Sequence, residues 1–83
     1  MRDVEPPFEI ADQGVIIQVT EHSIEGSRIF RLQFPDKRNP LMITVAEMPG
    51  GKKWWTSVPQ GRQSEAEHFG KLIANFIRSK RKG

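Results

Sequence analysis

Two lysines beside two tryptophans form the stretch of this chain whose side chains are best suited to binding a ligand. Residues 52–58 have the sequence KKWWTSV, which is basic and aromatic in a segment of strand-forming residues. Aromatic faces beside basic side chains suit ligands that stack and carry negative charge, such as single-stranded nucleic acid. The candidate nucleic-acid contacts, taken over the whole chain, are Arg31, Lys52, Lys53, Trp54, Trp55 and Arg62.

A second basic run closes the chain. It contains Arg78, Lys80, Arg81 and Lys82. Such a tail can contact nucleic acid or a membrane surface. It is explained equally well as a set of cations that complement a helix dipole at its carboxyl end and keep the protein soluble.

Charge is distributed unevenly along the 83 residues. Residues 1–25 hold one base and six acids, a net charge of −5, whereas residues 26–83 hold twelve bases and four acids, a net charge of +8. The chain length predicts one domain of modest stability. We expect a cytoplasmic protein without membrane contact, because the polar first residues lack the apolar core of a signal peptide and no later segment is long enough to span a bilayer.

Residue types with catalytic or metal-binding chemistry are sparse. The chain has no cysteine, and its two histidines, His22 and His68, have no spacing that indicates a ligand set. The GGKK sequence at residues 50–53 lacks the spacing of a phosphate-binding loop and predicts a hairpin turn instead. We therefore expect no enzymatic activity, no cofactor and no metal.

Five stretches predict short strands, each ended by proline, glycine, asparagine or aspartate. They are residues 8–11, 15–20, 27–34, 41–47 and 52–58. The short links between them favour an antiparallel meander. Residues 21–26 are expected to form a polar hairpin loop.

One helix is predicted over residues 64–80. Ser64 and Glu67 have the spacing of a capping box, and a single apolar stripe follows at helical period. Gly70 lies inside that stripe, where a glycine costs about 1 kcal/mol relative to alanine, so we expect it to allow a close approach between helix and sheet. The residues of the stripe are Ala66, Phe69, Leu72, Ile73, Phe76 and Ile77.

These elements predict an α+β fold in which a four- to five-stranded antiparallel β-meander is followed by one C-terminal α-helix packed on one face. Residues 1–7 are expected to be a flexible arm, residues 8–80 a single domain and residues 81–83 a basic tail. Alternation places one tryptophan on each face of the sheet. The predicted helix-facing set is Val15, Ile17, Val19, Phe30, Leu32, Phe34, Leu41, Ile43 and Val45.

The other face of the predicted sheet carries about one apolar residue per strand, namely Ile16, Ile29, Met42 and one tryptophan. A contiguous apolar patch of this kind usually marks an interaction surface. Three uses remain open: a homodimer interface, a platform on which a tryptophan stacks bases while Arg31, Lys52, Lys53 and Arg62 hold phosphates, or a surface covered by loops and the amino-terminal arm.

The pattern resembles small single-stranded nucleic-acid-binding modules of the Pur-alpha (purine-rich element-binding), transcriptional-coactivator and Whirly types. The resemblance covers about residues 15–80 and is carried by the RIFRL sequence at 28–32, ITVAE at 43–47 and FGKLI at 69–73. It implies a curved four-stranded sheet before one helix, a homodimer that supplies the second repeat, and contacts from Arg31 and from Trp54 or Trp55.

The sequence therefore predicts a small non-enzymatic binding module that forms a homodimer and contacts single-stranded nucleic acid through a basic, tryptophan-bearing sheet surface. The alternative is a protein-interaction or assembly module that uses the apolar second face or a sheet edge to bind another polypeptide.

Overall fold

The strands lie in the sheet in the order in which they occur in the chain. The computed structural model describes residues 5–82 and the side chains of residues 5–80. Residues 1–4 of the predicted arm, Gly83 and the side chains of Arg81 and Lys82 therefore lie outside the description, and the backbone of residues 81–82, predicted as tail, belongs to the helix. The elements are β1 (Phe8–Asp12), β2 (Val15–Ile24), β3 (Ser27–Gln33), β4 (Leu41–Glu47), β5 (Lys53–Ser57) and α1 (Gln63–Lys82). All neighbouring strands are antiparallel, and the helix packs mainly against β4 and β5. The predicted α+β meander with its C-terminal helix is confirmed.

Two tight turns join the first three strands. Gln13 and Gly14 have φ angles of 50° and 79°, and Glu25 and Gly26 have φ angles of 50° and 80°. Positive φ at both central residues is the requirement of the type I′ turn, whose twist matches that of the flanking strands. The predicted loop at residues 21–26 is wrong, because β2 continues to Ile24 and pairs with β3 up to the second turn.

The core lies between one face of the sheet and the helix, as the alternation of the strands predicts. Of the predicted helix-facing residues only Val45 is clearly open to solvent, at 43% exposed. Phe8 adds to the core from β1 and stacks on Phe76 of the helix with ring centroids 4.2 Å apart. The buried cluster consists of Phe8, Ile10, Ile17, Val19, Phe30, Leu32, Phe34, Leu41, Ile43, Ala66, Phe69, Ile73 and Ile77.

The helix begins one residue earlier than the sequence predicts. The Ala66 amide donates to the Arg62 carbonyl at 3.0 Å, so Ser64 already lies inside the first turn. The Glu67 carboxylate accepts instead from the Gln63 side-chain amide at 2.9 Å. The capping box predicted at Ser64 is therefore wrong. No helix in the described part of the chain is long and apolar enough to cross a membrane.

The closest approach between helix and sheet occurs where Gly70 meets Trp55. A Cβ atom built on Gly70 would lie 2.2 Å from Cγ and 2.3 Å from Cδ2 of the Trp55 indole. The glycine predicted to permit close approach thus does so, and its contact is the half-buried ring of Trp55. The same ring lies 5.8 Å from the Phe30 ring, in a tilted arrangement.

We expect Gly70→Ala to lower the free energy of unfolding. Overpacking costs about 1–3 kcal/mol, which exceeds the roughly 1 kcal/mol that alanine gains over glycine in a helix interior. Urea unfolding followed by circular dichroism measures the difference. Asn75→Ala, at an exposed position of the same helix, is the control and should not destabilise. A Gly70→Ala protein that gains stability as the control does would mean that Trp55 does not pack on Gly70.

Candidate functional site

The two tryptophans face opposite sides of the sheet. Trp54 pairs with Ala46 on the face away from the helix and is 38% exposed. Trp55 pairs with Val45 on the helix side and is half-buried against the core. Trp54 is therefore available to a ligand on the sheet surface, whereas Trp55 can meet one only at the edge of the helix.

The two lysines lie at the start of β5. Lys52 follows the turn after β4, and Lys53 opens the strand opposite Glu47. The Met48 amide donates to the Lys52 carbonyl at 2.8 Å, and the Gly51 amide donates to the Met48 carbonyl at 3.0 Å. Backbone bonds thus hold this turn, as the predicted hairpin requires. Both lysines are exposed, and within the described part of the chain neither forms an ion pair.

A cleft of about 630 Å³ opens between the carboxyl-terminal half of α1 and the nearby ends of β3, β4 and β5. We call it the helix-side cleft. Its charged lining residues are Arg28, Glu47, Lys53 and Arg78, and its apolar lining residues are Phe30, Val45, Trp55, Ala74 and Ile77. The fold therefore brings Lys53 and Trp55 from the candidate set together with Arg78 from the basic tail.

Arg28 is held in the wall of the cleft by a buried acid. Its Nε donates to Oε2 of Glu21 at 2.8 Å and its Nη2 donates to Oε1 at 3.1 Å, while the Glu21 side chain is only 1% exposed. Oε1 of Glu21 also accepts from the Glu5 amide at 2.9 Å. The Arg28 guanidinium lies 4.8 Å from the centroid of the Phe30 ring. Two forked hydrogen bonds and an aromatic face fix its orientation.

Arg62 has an internal role at the start of the helix. Its Nε and Nη2 donate to the two carboxylate oxygens of Glu65 at 2.8 and 2.9 Å. Its Nη1 donates to the carbonyls of Asn39 and Pro40 at 3.2 and 3.0 Å. The guanidinium therefore joins the helix to the loop before β4. Its predicted role in nucleic-acid binding stays a prediction.

The face of the sheet turned away from the helix, which we call the open face, is mixed in character. Its exposed apolar residues include Ile16, Ile24 and Trp54. In the strand register, Arg31 of β3 lies opposite Met42 of β4. Trp54 of β5 lies opposite Ala46, four residues further along β4. With strand spacings of about 4.8 Å and rises of about 3.4 Å per residue, the side chains of Arg31 and Trp54 start roughly 16 Å apart. Arg31 and Trp54 share a face without forming one compact site.

The predicted basic tail divides into three parts. Arg78 lines the helix-side cleft and has no acidic partner among the described side chains. Lys80 contacts Oε1 of Glu5 at 2.9 Å. The side chains of Arg81 and Lys82 lie outside the described residues.

The histidines have identifiable hydrogen-bond partners. Nε2 of His68 lies 2.9 Å from Oδ1 of Asp12 and so links the helix to the end of β1. Nε2 of His22 lies 3.1 Å from the Thr20 hydroxyl on the open face. Over the described residues, no three histidine, aspartate or glutamate side chains gather into a group that could hold a metal ion.

The helix-side cleft is the part of the candidate site that sequence reasoning missed. Its lining residues come from β3, β4, β5 and α1. No motif within a single stretch of sequence therefore predicts the cleft. One signal was present: Glu21 and Arg28 carry opposite charges on either side of the Glu25–Gly26 dipeptide, a spacing at which cross-strand ion pairs can form. Placing Glu21 in a polar loop concealed that pair.

The Arg62–Glu65 contact leads to a pH prediction. Hydrogen bonds from Arg62 lower the pKa of Glu65, and the Arg62 charge adds to this against the opposing effect of burial. Because the folded-state pKa is depressed, the contact stabilises the fold above the unfolded-state pKa of about 4.3 and loses this effect as the pH falls through the folded-state value. Arg62→Met should raise the pKa of Glu65, as measured by NMR titration of its side-chain carboxyl carbon.

Arg31→Met is the control for that titration, because the only side-chain hydrogen bond of Arg31 among the described residues is to Gln33. It should leave the pKa of Glu65 in place. An unchanged Glu65 pKa in Arg62→Met would show that the ion pair does not form in solution.

Comparison of the chain with family models, curated proteins and solved structures finds no significant match. The resemblance to the Pur-alpha, transcriptional-coactivator and Whirly modules therefore stays a prediction.

Proposed function

We propose that this domain is a small non-enzymatic module that binds single-stranded nucleic acid at one end of the sheet. We call this region the basic end and define it by Lys52, Lys53, Trp54 and Arg78. One observation carries the proposal: Lys53 and Arg78, which are far apart in the sequence, line the same cleft beside Trp55. Basic side chains beside an aromatic ring are the combination that binds a single strand, because the ring stacks a nucleobase and the cations contact its phosphates.

The electrostatics of the basic end support a polyanionic ligand. Lys52, Lys53 and Arg78 form no ion pairs with described residues, so their charges are available to phosphates. Other bases of the chain are already paired, including Arg28 with Glu21, Arg38 with Asp36 and Arg62 with Glu65. The chain from residue 26 onward carries the net charge of +8. Phosphate contacts by such bases release counterions and make binding dependent on salt.

Trp54 supplies the stacking surface of the proposal. It is held in a paired strand opposite the small side chain of Ala46, and 38% of its surface is open to solvent. Stacking of a base on such a ring contributes about 1–3 kcal/mol and tolerates any sequence. The bound strand would cross β5, with one base on Trp54 and phosphates near the two lysines.

Self-association forms part of the proposal, because the resemblance requires two copies to supply two repeats. The cytoplasmic location expected from the sequence likewise stays a prediction.

A second candidate function, binding of another polypeptide, is favoured by one observation: Ile16, Ile24 and Trp54 are all exposed on the open face. Exposed apolar groups on one surface favour contact with protein.

Lys53→Gln should weaken binding of a mixed-sequence single-stranded oligonucleotide and reduce its salt dependence. Losing one phosphate contact lowers the slope of log affinity against log salt by about 0.7 in magnitude. The measurement is a fluorescence titration at several salt concentrations. Lys37→Gln removes the same charge from an exposed lysine in the loop between β3 and β4, at the opposite end of β3 from the cleft, and should leave the slope unchanged.

Equal effects of Lys53→Gln and Lys37→Gln would contradict the proposed site, since only net charge would then matter. Absence of saturable binding at low salt would contradict the function itself and favour the protein-binding candidate.

Trp54→Leu should weaken oligonucleotide binding by about 1–3 kcal/mol, the contribution of one stacked base, while the protein stays folded. Ile16→Ala alters an exposed apolar residue at the far end of the open face and should not change the affinity. Filter binding gives both affinities, and circular dichroism verifies the folds. If Ile16→Ala reduces the affinity as much as Trp54→Leu does, the contact extends over the open face and is not centred on the basic end.

A further inference from the structure

The helix-side cleft has the size of a small-molecule site. Its volume of about 630 Å³ lies within the roughly 300–1,000 Å³ typical of ligand pockets. Val45 is 43% exposed there although it is an apolar strand residue on the helix side. The cleft is therefore an open recess in which apolar surface lies beside charged side chains.

Small residues on the helix create the recess. Gly70 lets the Trp55 ring lie directly against the helix, and Ala74, one turn later, lines the cleft without filling it. The buried Glu21 fixes Arg28 in the opposite wall through two hydrogen bonds. Walls that are positioned before binding reduce the entropy that a ligand must lose on ordering the site.

The chemistry of the lining selects among ligands. Trp55 and Val45 offer apolar area suited to a planar group, whereas Lys53 and Arg78 offer charges that form no ion pair with a described acid. Glu47 is an acceptor for an amino group, and Arg28, whose charge Glu21 matches, retains N–H donors for a polar edge. A purely apolar ligand would leave these polar groups unpaired, and an inorganic phosphate would leave the apolar lining uncovered.

We propose that the helix-side cleft holds one unstacked base of the bound strand, with the phosphate of that nucleotide held by Lys53 and Arg78. A nucleotide combines a planar base, polar base edges and a negative phosphate, which together match this lining. The inference rests on the proposed function and adds a defined subsite to it. Trp54 then stacks a neighbouring base on the other face of β5, so that the strand passes over the sheet edge.

The test uses Trp55 as the reporter. The chain has two tryptophans and no tyrosine, so a Trp54→Phe protein has Trp55 as its only strong fluorophore. Titration with adenosine monophosphate should quench Trp55 in a saturable manner. Inorganic phosphate at the same ionic strength should not.

Filling the cleft gives the second measurement. Ala74→Leu places a larger side chain in the cleft, and leucine is itself a residue that helices favour. This variant should weaken the binding of both adenosine monophosphate and the oligonucleotide at least tenfold. Asn75→Leu adds the same side chain at an exposed neighbouring position that does not line the cleft, and it should bind as the parent does. Circular dichroism verifies both folds.

The outcomes separate this inference from the proposed function. Oligonucleotide binding that survives Ala74→Leu unchanged, with no quenching of Trp55 by adenosine monophosphate, overturns the subsite and leaves the proposed function standing. Should Ala74→Leu fail to fold, the Trp55 titration alone decides: absence of quenching overturns the subsite. Failure of the parent protein to bind any oligonucleotide overturns the proposed function, and the strand subsite with it.

Discussion

The packing of Trp55 against Gly70 is the contact on which the arrangement of helix and sheet depends. The absence of a side chain at Gly70 allows the helix backbone to approach the indole ring, and a single added carbon would lie 2.2 Å from that ring. This approach sets the height of the helix above β5. Because adjacent strand residues point to opposite faces, it also fixes Trp54 on the open face. One backbone position thus decides which tryptophan packs on the helix beside the cleft and which lies on the open face.

The same packing explains why basic side chains lie beside aromatic rings at one end of the molecule. The helix lies over β4 and β5, and its last turns carry Arg78 to the end of β5 where Lys53 begins the strand. The acids at this end include Glu21, which is bonded to Arg28, and Glu47, which lies opposite Lys53. The Glu21–Arg28 pair holds the wall of the cleft. In the proposed function, Lys52, Lys53 and Arg78, which form no ion pair with a described residue, attract the polyanion.

Local patterns were sufficient to predict the meander, the helix and most residues of the core, but not the contribution of Phe8 and Ile10 from β1. Alternation in the strands and the apolar stripe of the helix are set by periodicity, and they predict the helix-facing set with only Val45 exposed. The role of Gly70 was also predictable, since a glycine inside an apolar stripe needs a packing reason. The error at residues 21–26 arose where side chains bond over a distance, because β2 runs on through polar residues beside the Glu21–Arg28 pair. The bonds of Arg62 to Asn39, Pro40 and Glu65 are likewise contacts that no sequence pattern predicts. The cleft was beyond prediction because four elements contribute to it, and sequence spacing does not state how closely a helix approaches a sheet.

The most direct test of the central claim is to map the contact of a short single-stranded oligonucleotide by amide and indole NMR shifts in the labelled protein. The account predicts that the largest shifts occur at Lys52, Lys53, Arg78 and the indole N–H groups of both tryptophans, and that they diminish as salt is added. Shifts centred instead on Ile16 and Gln18 at the far end of the open face, or an unperturbed spectrum at low salt, would contradict it.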